Sequence, residues 1–165
     1  MSRVAVLGAG AGGRSAVVEF ARAGHEVALW NRRRETIAPI LADSLLRYRG
    51  VLGEGAVRPA LVTTDLASAL DGAEVAVVCL PALAHDELFV DLARLRSTVP
   101  LVLNPGQTGG ALHARAVFGA HGAPQPPTVE FSTLTYVARV GADGVVSTTS
   151  RAGVVRAGCL PGHEV

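Results

Sequence analysis

The stretch VAVLGAGAGGRSAVVEF, residues 4–20, decides the fold because it joins an apolar strand to a helix through a glycine-rich turn. The turn satisfies the pattern G-x-G-x-x-G at Gly8, Gly10 and Gly13. In this pattern the first glycine permits a tight turn, the second lets the backbone approach a pyrophosphate, and the third lets the helix pack closely on the sheet. The helix N-terminus then presents free N–H groups and a partial positive charge to phosphate.

This pattern is informative here because it follows a strand, opens a helix and lies within a strand–helix–strand unit. It predicts a dinucleotide-binding turn, whereas the alternative is a glycine turn with a structural role alone. The predicted cofactor-binding residues of the turn are Gly8, Ala9, Gly10, Ala11, Gly12 and Gly13.

Strands and helices alternate along the chain as far as about residue 120. The predicted strands are Arg3–Leu7, Glu26–Trp30, Val57–Thr63, Glu74–Leu80 and Pro100–Leu103. The predicted helices are Arg14–Ala23, Arg32 to about Tyr48, Leu66–Leu70, Ala84–Leu95 and Gly109–Gly119. This alternation predicts an α/β fold of the Rossmann type, with a doubly wound, mostly parallel sheet.

The C-terminal part has a different character. Thr128–Val140 and Val145–Thr149, joined by a glycine-containing turn, predict an antiparallel hairpin added at the edge of the sheet. Ala152–Leu160 is a further strand candidate. We expect residues 1–165 to form one NAD(P)-binding domain.

Composition limits the classes of function. The net charge of +1 gives no support to a nucleic-acid or membrane-surface role. No apolar run approaches the roughly 20 residues that would span a membrane. The opening MSRVAVLG has no secretory pattern, and Cys79 and Cys159 read as two small core residues, so we expect a cytoplasmic protein. No spacing of cysteine and histidine predicts a metal site.

The sequence WNRRRE, residues 30–35, follows the second predicted strand, where the adenosine ribose lies in this fold. A carboxylate at that place selects NAD, and it would repel the 2′-phosphate of NADP. Asn31 removes the repulsion, and Arg32 and Arg33 offer guanidinium groups that pair with phosphate. We therefore predict NADP as the cofactor, with NAD as the less favoured alternative.

Two turns leave the later strands on the side where a nicotinamide must lie. The first contains Leu80 and Pro81, and the second contains Asn104, Pro105 and Gly106. Proline ends strand pairing and glycine allows close backbone approach, although turns that start helices use the same residues. His85, which follows the first turn, is a substrate-side candidate with a structural role as its alternative.

The chain resembles the cofactor domain of the opine dehydrogenases of the octopine and nopaline type. The specific segments are LVLNPGQTGGAL (residues 101–112), VEFSTLTYVARV (129–140) and the closing GCLP (158–161). This resemblance implies that Pro81 and residues 104–106 border the nicotinamide. It further implies that Glu130, Thr133 and Arg139 lie on a strand near the active cleft, on the substrate side.

The resemblance also implies a reaction, the NAD(P)H-dependent reductive condensation of an amino acid with a 2-oxo acid. Family members carry a second, helical domain that supplies a histidine and aspartate for proton transfer, and no residue of this chain corresponds to that histidine. We therefore predict no catalytic residue here, and we expect a partner chain or a homo-oligomer. The alternatives are a stand-alone NADP(H)-binding or sensing module and the cofactor domain of a ketopantoate reductase-like dehydrogenase.

Overall fold

The computed structural model describes residues 1–106 and 108–161. Its larger sheet consists of β1 (Arg3–Leu7), β2 (Glu26–Trp30), β5 (Leu61–Thr63), β6 (Val75–Val78), β7 (Leu101–Leu103), β8 (Thr128–Phe131) and β11 (Ala157–Cys159). Its smaller sheet consists of β3 (Leu46–Gly50), β4 (Gly55–Val57), β9 (Tyr136–Val140) and β10 (Val146–Arg151). The helices are α1 (Ala11–Arg22), α2 (Arg34–Asp43), α3 (Leu66–Leu70), α4 (His85–Arg94) and α5 (Gly110–Ala120), and a 3₁₀ turn spans Ala82–Ala84.

The larger sheet has the order β11-β8-β7-β6-β1-β2-β5, and all its neighbours are parallel except β11 with β8. The strand order reverses beside β1, which has β2 on one side and β6 on the other. In open α/β sheets, ligands bind outside the carboxyl ends of the strands at such a reversal. The predicted Rossmann-type fold is therefore confirmed.

Alternate side chains of β1 serve two cores on opposite faces of the larger sheet. Val4 and Val6 pack in a cluster with α1, α2 and the smaller sheet. Ala5 and Leu7 pack in a second cluster with α3, α4 and α5. A parallel strand that is buried on both faces reads as a continuous apolar run, which is the pattern of residues 4–7.

The second helix is shorter than predicted. It ends at Asp43, and Ser44 adopts a left-handed conformation (φ 60°). The Leu45 N–H then donates to Asp43 Oδ1 at 3.0 Å. The prediction of helix up to Tyr48 is therefore wrong, since residues 46–50 form a strand whose alternate side chains Leu46 and Tyr48 are buried.

Two predicted strands are each divided between the two sheets. Residues 57–63 contribute the end of β4 to the smaller sheet and all of β5 to the larger one, and Pro59 lies in the break between them. Residues 128–140 likewise contain β8 and β9, which belong to different sheets. The antiparallel hairpin of β9 and β10 is present, but its predicted place at the edge of the larger sheet is wrong.

The smaller sheet covers α1 rather than extending the Rossmann sheet. Its order is β4-β3-β10-β9, and β3 and β10 run parallel although about a hundred residues separate them. Tyr136, Ala138 and Val146 from this sheet pack in the same core cluster as Val17 of α1. This packing buries the face of α1 that the larger sheet leaves uncovered.

The edge strand β11 accounts for the last strand candidate, and it also corrects one expectation about the cysteines. Residues 157–159 pair antiparallel with β8, so only the end of the predicted segment 152–160 is a strand.

Cys159 is exposed on this edge, and the expectation of a core position is wrong for it. Both thiols are free, and burial raises the pKa of Cys79 to about 12.

Candidate cofactor site

The glycine turn lies between the end of β1 and the first turn of α1, against the ends of β2 and β6. The Gly8 N–H donates to the Trp30 carbonyl at 2.9 Å. Gly8 has φ +119°, and a Cβ there would lie 2.6 Å from the carbonyl oxygen of Cys79. A Cβ at Gly13 would lie 1.8 Å from the Gly8 carbonyl oxygen. The fold itself therefore requires glycine at both positions.

Gly10 differs from these two glycines. Its φ is −69°, which any residue can adopt, and no heavy atom lies within 4 Å of a Cβ built on it. Gly10 is exposed at the N-terminus of α1, directly before the helix. The fold therefore leaves open space over this backbone, as the close approach of a ligand would require.

Asn31 binds the glycine turn from the end of β2. Its Oδ1 accepts from the Ala9 N–H at 3.0 Å, and its Nδ2 donates to the Arg33 carbonyl at 2.9 Å. The residue thus holds the glycine turn and the start of α2 in one arrangement. The local sequence shows only that a carboxylate is missing at this position, and it gives no sign of a bond to the turn.

A cavity of about 350 Å³ opens beside Gly10. This volume lies within the range of small-molecule sites. Six of the predicted cofactor-binding residues line it, namely Gly10, Asn31, Arg32, Arg33, Leu80 and Pro81. The remaining lining residues are Trp30, Thr36, Cys79, Ala84, Glu87, Leu88 and Asp91. The structure therefore brings the glycine turn, the arginines after β2 and the turn after β6 into one site.

The far wall of the cavity carries carboxylates, which the sequence analysis did not anticipate. Glu87 and Asp91 both project from α4 into the lining. Arg32 forms an ion pair with Glu87, and both side chains are more than half exposed. The spacing of these two acids on α4 was visible in the sequence, but their position opposite Arg32 depends on how α4 packs.

The predicted nicotinamide turn after β7 is packed against β8. Asn104, Pro105 and Gly106 are buried, and Asn104 Oδ1 accepts from the Thr135 N–H at 3.2 Å and from its hydroxyl at 2.9 Å. A Cβ on Gly106 would lie 2.3 Å from Glu130 Cβ. Residues 104–106 do not line the cavity described above, and Gln107, the next residue of this predicted turn, is outside the described residues.

The three substrate-side candidates from the C-terminal part do not share a strand. Glu130 lies on β8, where its carboxylate accepts from the Ala111 N–H at 2.7 Å and from the Gly109 N–H at 3.3 Å at the start of α5. Thr133 is exposed in the connection that follows, and Arg139 is exposed on β9 of the smaller sheet. The expectation that one strand carries all three is therefore wrong, because β8 and β9 belong to different sheets.

His85 begins α4 and is buried, with 1% of its surface exposed. Its Nε2 lies 3.1 Å from the Leu80 carbonyl, and its ring packs against Phe89 with the centroids 5.3 Å apart. Burial lowers the pKa of His85, so the neutral ring is favoured. These contacts join the turn after β6 to α4. They correspond to a structural role, which was the alternative to a substrate-side role for this histidine.

The described part of the chain contains no cluster of three or more histidine, cysteine, aspartate or glutamate side chains that could hold a metal ion. Within the same residues, none of the helices combines the length and the apolar character that crossing a membrane requires.

A known family matches residues 3–104, the part that contains the glycine turn and the cavity. Its description is NAD-dependent glycerol-3-phosphate dehydrogenase N-terminus. The chain belongs to this family. The glycerol-3-phosphate dehydrogenase [NAD(P)+] of Corynebacterium jeikeium (strain K411) is 45% identical over 82 residues, which cover 49% of this chain and 24% of that relative.

A longer match extends beyond that region. The opine dehydrogenase of Arthrobacter sp. (strain 1C) is 32% identical over 158 residues, 95% of this chain. The structure of octopine dehydrogenase with NADH and pyruvate is 26% identical with a TM-score of 0.81, and it aligns with 97% of this chain. NADP⁺-bound yersinopine dehydrogenase, at 14% identity and a TM-score of 0.82 over 96% of this chain, shares the fold.

These matches confirm the resemblance to the opine dehydrogenases. The chain is an NAD(P)-binding N-terminal domain of the opine and glycerol-3-phosphate dehydrogenase type. It spans 44% of the Arthrobacter relative, 43% of the octopine dehydrogenase chain and 41% of the yersinopine dehydrogenase chain.

Proposed function

We propose that this chain is the NADP(H)-binding half of an opine-type dehydrogenase, which condenses an amino acid with a 2-oxo acid and reduces the resulting imine. The observation that carries the proposal is the open space above Gly10, which leads into a cavity lined by Arg32 and Arg33. Gly8 and Gly13 are explained by packing within the fold. At Gly10 no protein atom requires glycine, and we assign this glycine to the close approach of a ligand.

The residues present fit a dinucleotide with a 2′-phosphate. The N–H groups in the first turn of α1, which directly follows Gly10, would bind the diphosphate. Trp30, Ala84 and Leu88 supply apolar surface in the cavity for the adenosine. Arg32 and Arg33 would bind the 2′-phosphate. The bound cofactor would supply hydride to the imine carbon, while the protein orients the two partners.

We propose that a second domain or a partner chain supplies the proton-transfer groups, and the surface of this chain supports that arrangement. Four apolar side chains are exposed in segments at the carboxyl ends of the parallel strands, namely Leu83, Leu112, Leu134 and Val154. Leu83 is 97% and Val154 88% exposed. Exposed apolar side chains at this edge are what an interface with a second domain would cover.

Calorimetric titration with NADPH and NADH tests the cofactor assignment. We expect the full 165-residue chain to bind NADPH at least tenfold more tightly, because one charge-assisted hydrogen bond contributes about 1.5–3 kcal/mol. Equal dissociation constants would contradict the assignment of NADP, although they would leave dinucleotide binding intact.

The purified chain alone is expected to show negligible turnover with amino acid plus 2-oxo acid. The reason is that the proton-transfer groups are assigned to a second domain, while His85, a substrate-side candidate of this chain, is buried and bonded to the Leu80 carbonyl. Absorbance of NADPH at saturating substrates measures the rate. Steady NADPH oxidation by the pure chain would show that no second half is needed.

The alternative function is a stand-alone NADP(H)-binding or sensing module. The two functions differ in what restores turnover. A polypeptide that co-purifies with the chain and brings NADPH oxidation with it supports the dehydrogenase. Tight NADPH binding with no such polypeptide favours the sensing module. Substrate trials with the restored pair, using 2-oxo acids and dihydroxyacetone phosphate, then separate opine from glycerol-3-phosphate chemistry.

Replacing Glu87 with glutamine is expected to tighten NADPH binding about threefold to fivefold and to leave NADH within twofold. Glu87 competes with the 2′-phosphate for Arg32, and an exposed ion pair of this kind contributes up to about 1 kcal/mol. Titration of Glu87→Gln with both cofactors measures the effect. Glu54→Gln, which changes an exposed acid outside the cavity, is the control. If Glu87→Gln gained as much affinity for NADH as for NADPH, Glu87 would not be competing with the 2′-phosphate.

A further inference from the structure

Arg14 is a buried arginine that fastens three separate segments together. Only 5% of its surface is exposed. Its Nε donates to the Ala9 carbonyl at 2.9 Å, its Nη2 to the Thr36 carbonyl at 2.8 Å and its Nη1 to the Gly144 carbonyl at 3.1 Å. These carbonyls belong to the glycine turn, to α2 and to the turn between β9 and β10. The guanidinium therefore joins the Rossmann sheet to the smaller sheet.

No carboxylate within residues 1–106 and 108–161 forms an ion pair with Arg14, so all its protein partners are neutral carbonyls. Burial lowers the pKa of Arg14, but a guanidinium remains charged at neutral pH. Burying a charge without a counter-ion is unfavourable. An anion bound close to this residue would relieve the cost.

The proposed diphosphate site adjoins two of the residues that Arg14 binds. Arg14 is bonded to Ala9, which directly precedes Gly10, and to Thr36, which lines the cavity. Ala9 is bonded on both sides, because its carbonyl accepts from Arg14 and its N–H donates to Asn31. Arg14 thus keeps the Ala9 carbonyl directed into the protein and away from an incoming phosphate.

We propose that Arg14 is a positioning residue for the cofactor diphosphate: it fixes the Ala9 peptide from beneath, and its uncompensated positive charge stabilises the bound anion without touching it. The proposal rests on the proposed function for the identity of the ligand. Loss of a purely structural support would weaken the binding of charged and uncharged ligands alike. Loss of a stabilising charge would weaken the binding of a charged ligand far more than that of an uncharged one.

The experiment compares adenosine 5′-diphosphate with uncharged adenosine by NMR titration, which reaches millimolar dissociation constants. Arg14→Gln removes the charge and keeps a hydrogen-bond donor. We expect it to weaken binding of the diphosphate about tenfold and of adenosine less than twofold, since charges across a protein interior interact over several ångströms. Arg14→Lys keeps the charge and is expected to stay within about threefold of the unchanged chain.

Equal losses for diphosphate and adenosine in Arg14→Gln would overturn the proposal, and so would unchanged diphosphate binding or a lysine variant as weak as the glutamine variant. Failure of the unchanged chain to bind the diphosphate would instead overturn the proposed function. If Arg14→Gln does not fold, an NMR measurement on the unchanged chain still tests the proposal. We expect its Arg14 Nε–H signal, assigned by its loss in Arg14→Lys, to shift with the diphosphate and not with adenosine; equal shifts would overturn the proposal.

Discussion

Replacing Gly10 with alanine is expected to weaken NADPH binding about a hundredfold while changing the free energy of unfolding by less than about 1 kcal/mol. A Cβ at this position meets no protein atom within 4 Å, so the fold accommodates it. The added methyl group fills the space that the diphosphate needs to reach the N–H groups of α1. Titration calorimetry gives the loss of affinity, and chemical denaturation gives the stability.

Two other glycines serve as controls for this variant. Gly119→Ala also adds a methyl group in open space, but on α5 outside the cavity, and is expected to leave NADPH affinity unchanged. Gly13→Ala is expected to lower the free energy of unfolding by more than about 3 kcal/mol, because its Cβ would overlap the Gly8 carbonyl. Undiminished NADPH binding by Gly10→Ala would remove the main support for a dinucleotide at this turn.

Replacing both Arg32 and Arg33 with alanine is expected to erase the preference for NADPH over NADH, a loss of roughly 10- to 1000-fold in NADPH affinity. Each charge-assisted hydrogen bond to the 2′-phosphate is expected to contribute about 1.5–3 kcal/mol. NADH lacks that phosphate, so its affinity should change by less than about twofold. Titration of the unchanged chain and of the double variant with both cofactors gives the ratio of NADPH to NADH affinity for each.

Arg34→Ala is the matched control, since Arg34 carries the same charge on the neighbouring residue but does not line the cavity. It is expected to retain the preference within about twofold, apart from a small loss of general electrostatic attraction. A decline in NADH affinity as large as the decline in NADPH affinity would show that the arginine pair supports the fold of the site and does not select the phosphate.

The glycine turn and the strands around it could be predicted because their causes are local. The strands Arg3–Leu7 and Glu26–Trp30 are buried on both faces of a parallel sheet and read as apolar runs separated by a helix. The glycine spacing follows from close packing within the turn and against the next strand. The position of the cavity follows from the strand order, which the alternation of elements already indicates.

The smaller sheet could not be predicted in the same way, because its pairing joins distant segments. The alternation of Leu46, Arg47, Tyr48 and Arg49 has a period of two, but it follows closely after α2 and in sequence resembles a continuation of that helix. The roles of Arg14 and Asn31 depend on backbone atoms brought close by folding. Sequence spacing gives no information about such partners.

The pairing of β3 with β10 has a consequence for how the molecule could be divided. The family match shared with glycerol-3-phosphate dehydrogenases ends at residue 104, yet β9 and β10, which pack against α1 beside β3, lie beyond that residue. A fragment cut at that boundary would lose Thr148 and Tyr136, the partners of Ser15 and Glu19 on the first helix. The segment matched by that family therefore lacks part of the surface that covers the first helix, and a fragment meant to fold alone would have to extend through β10.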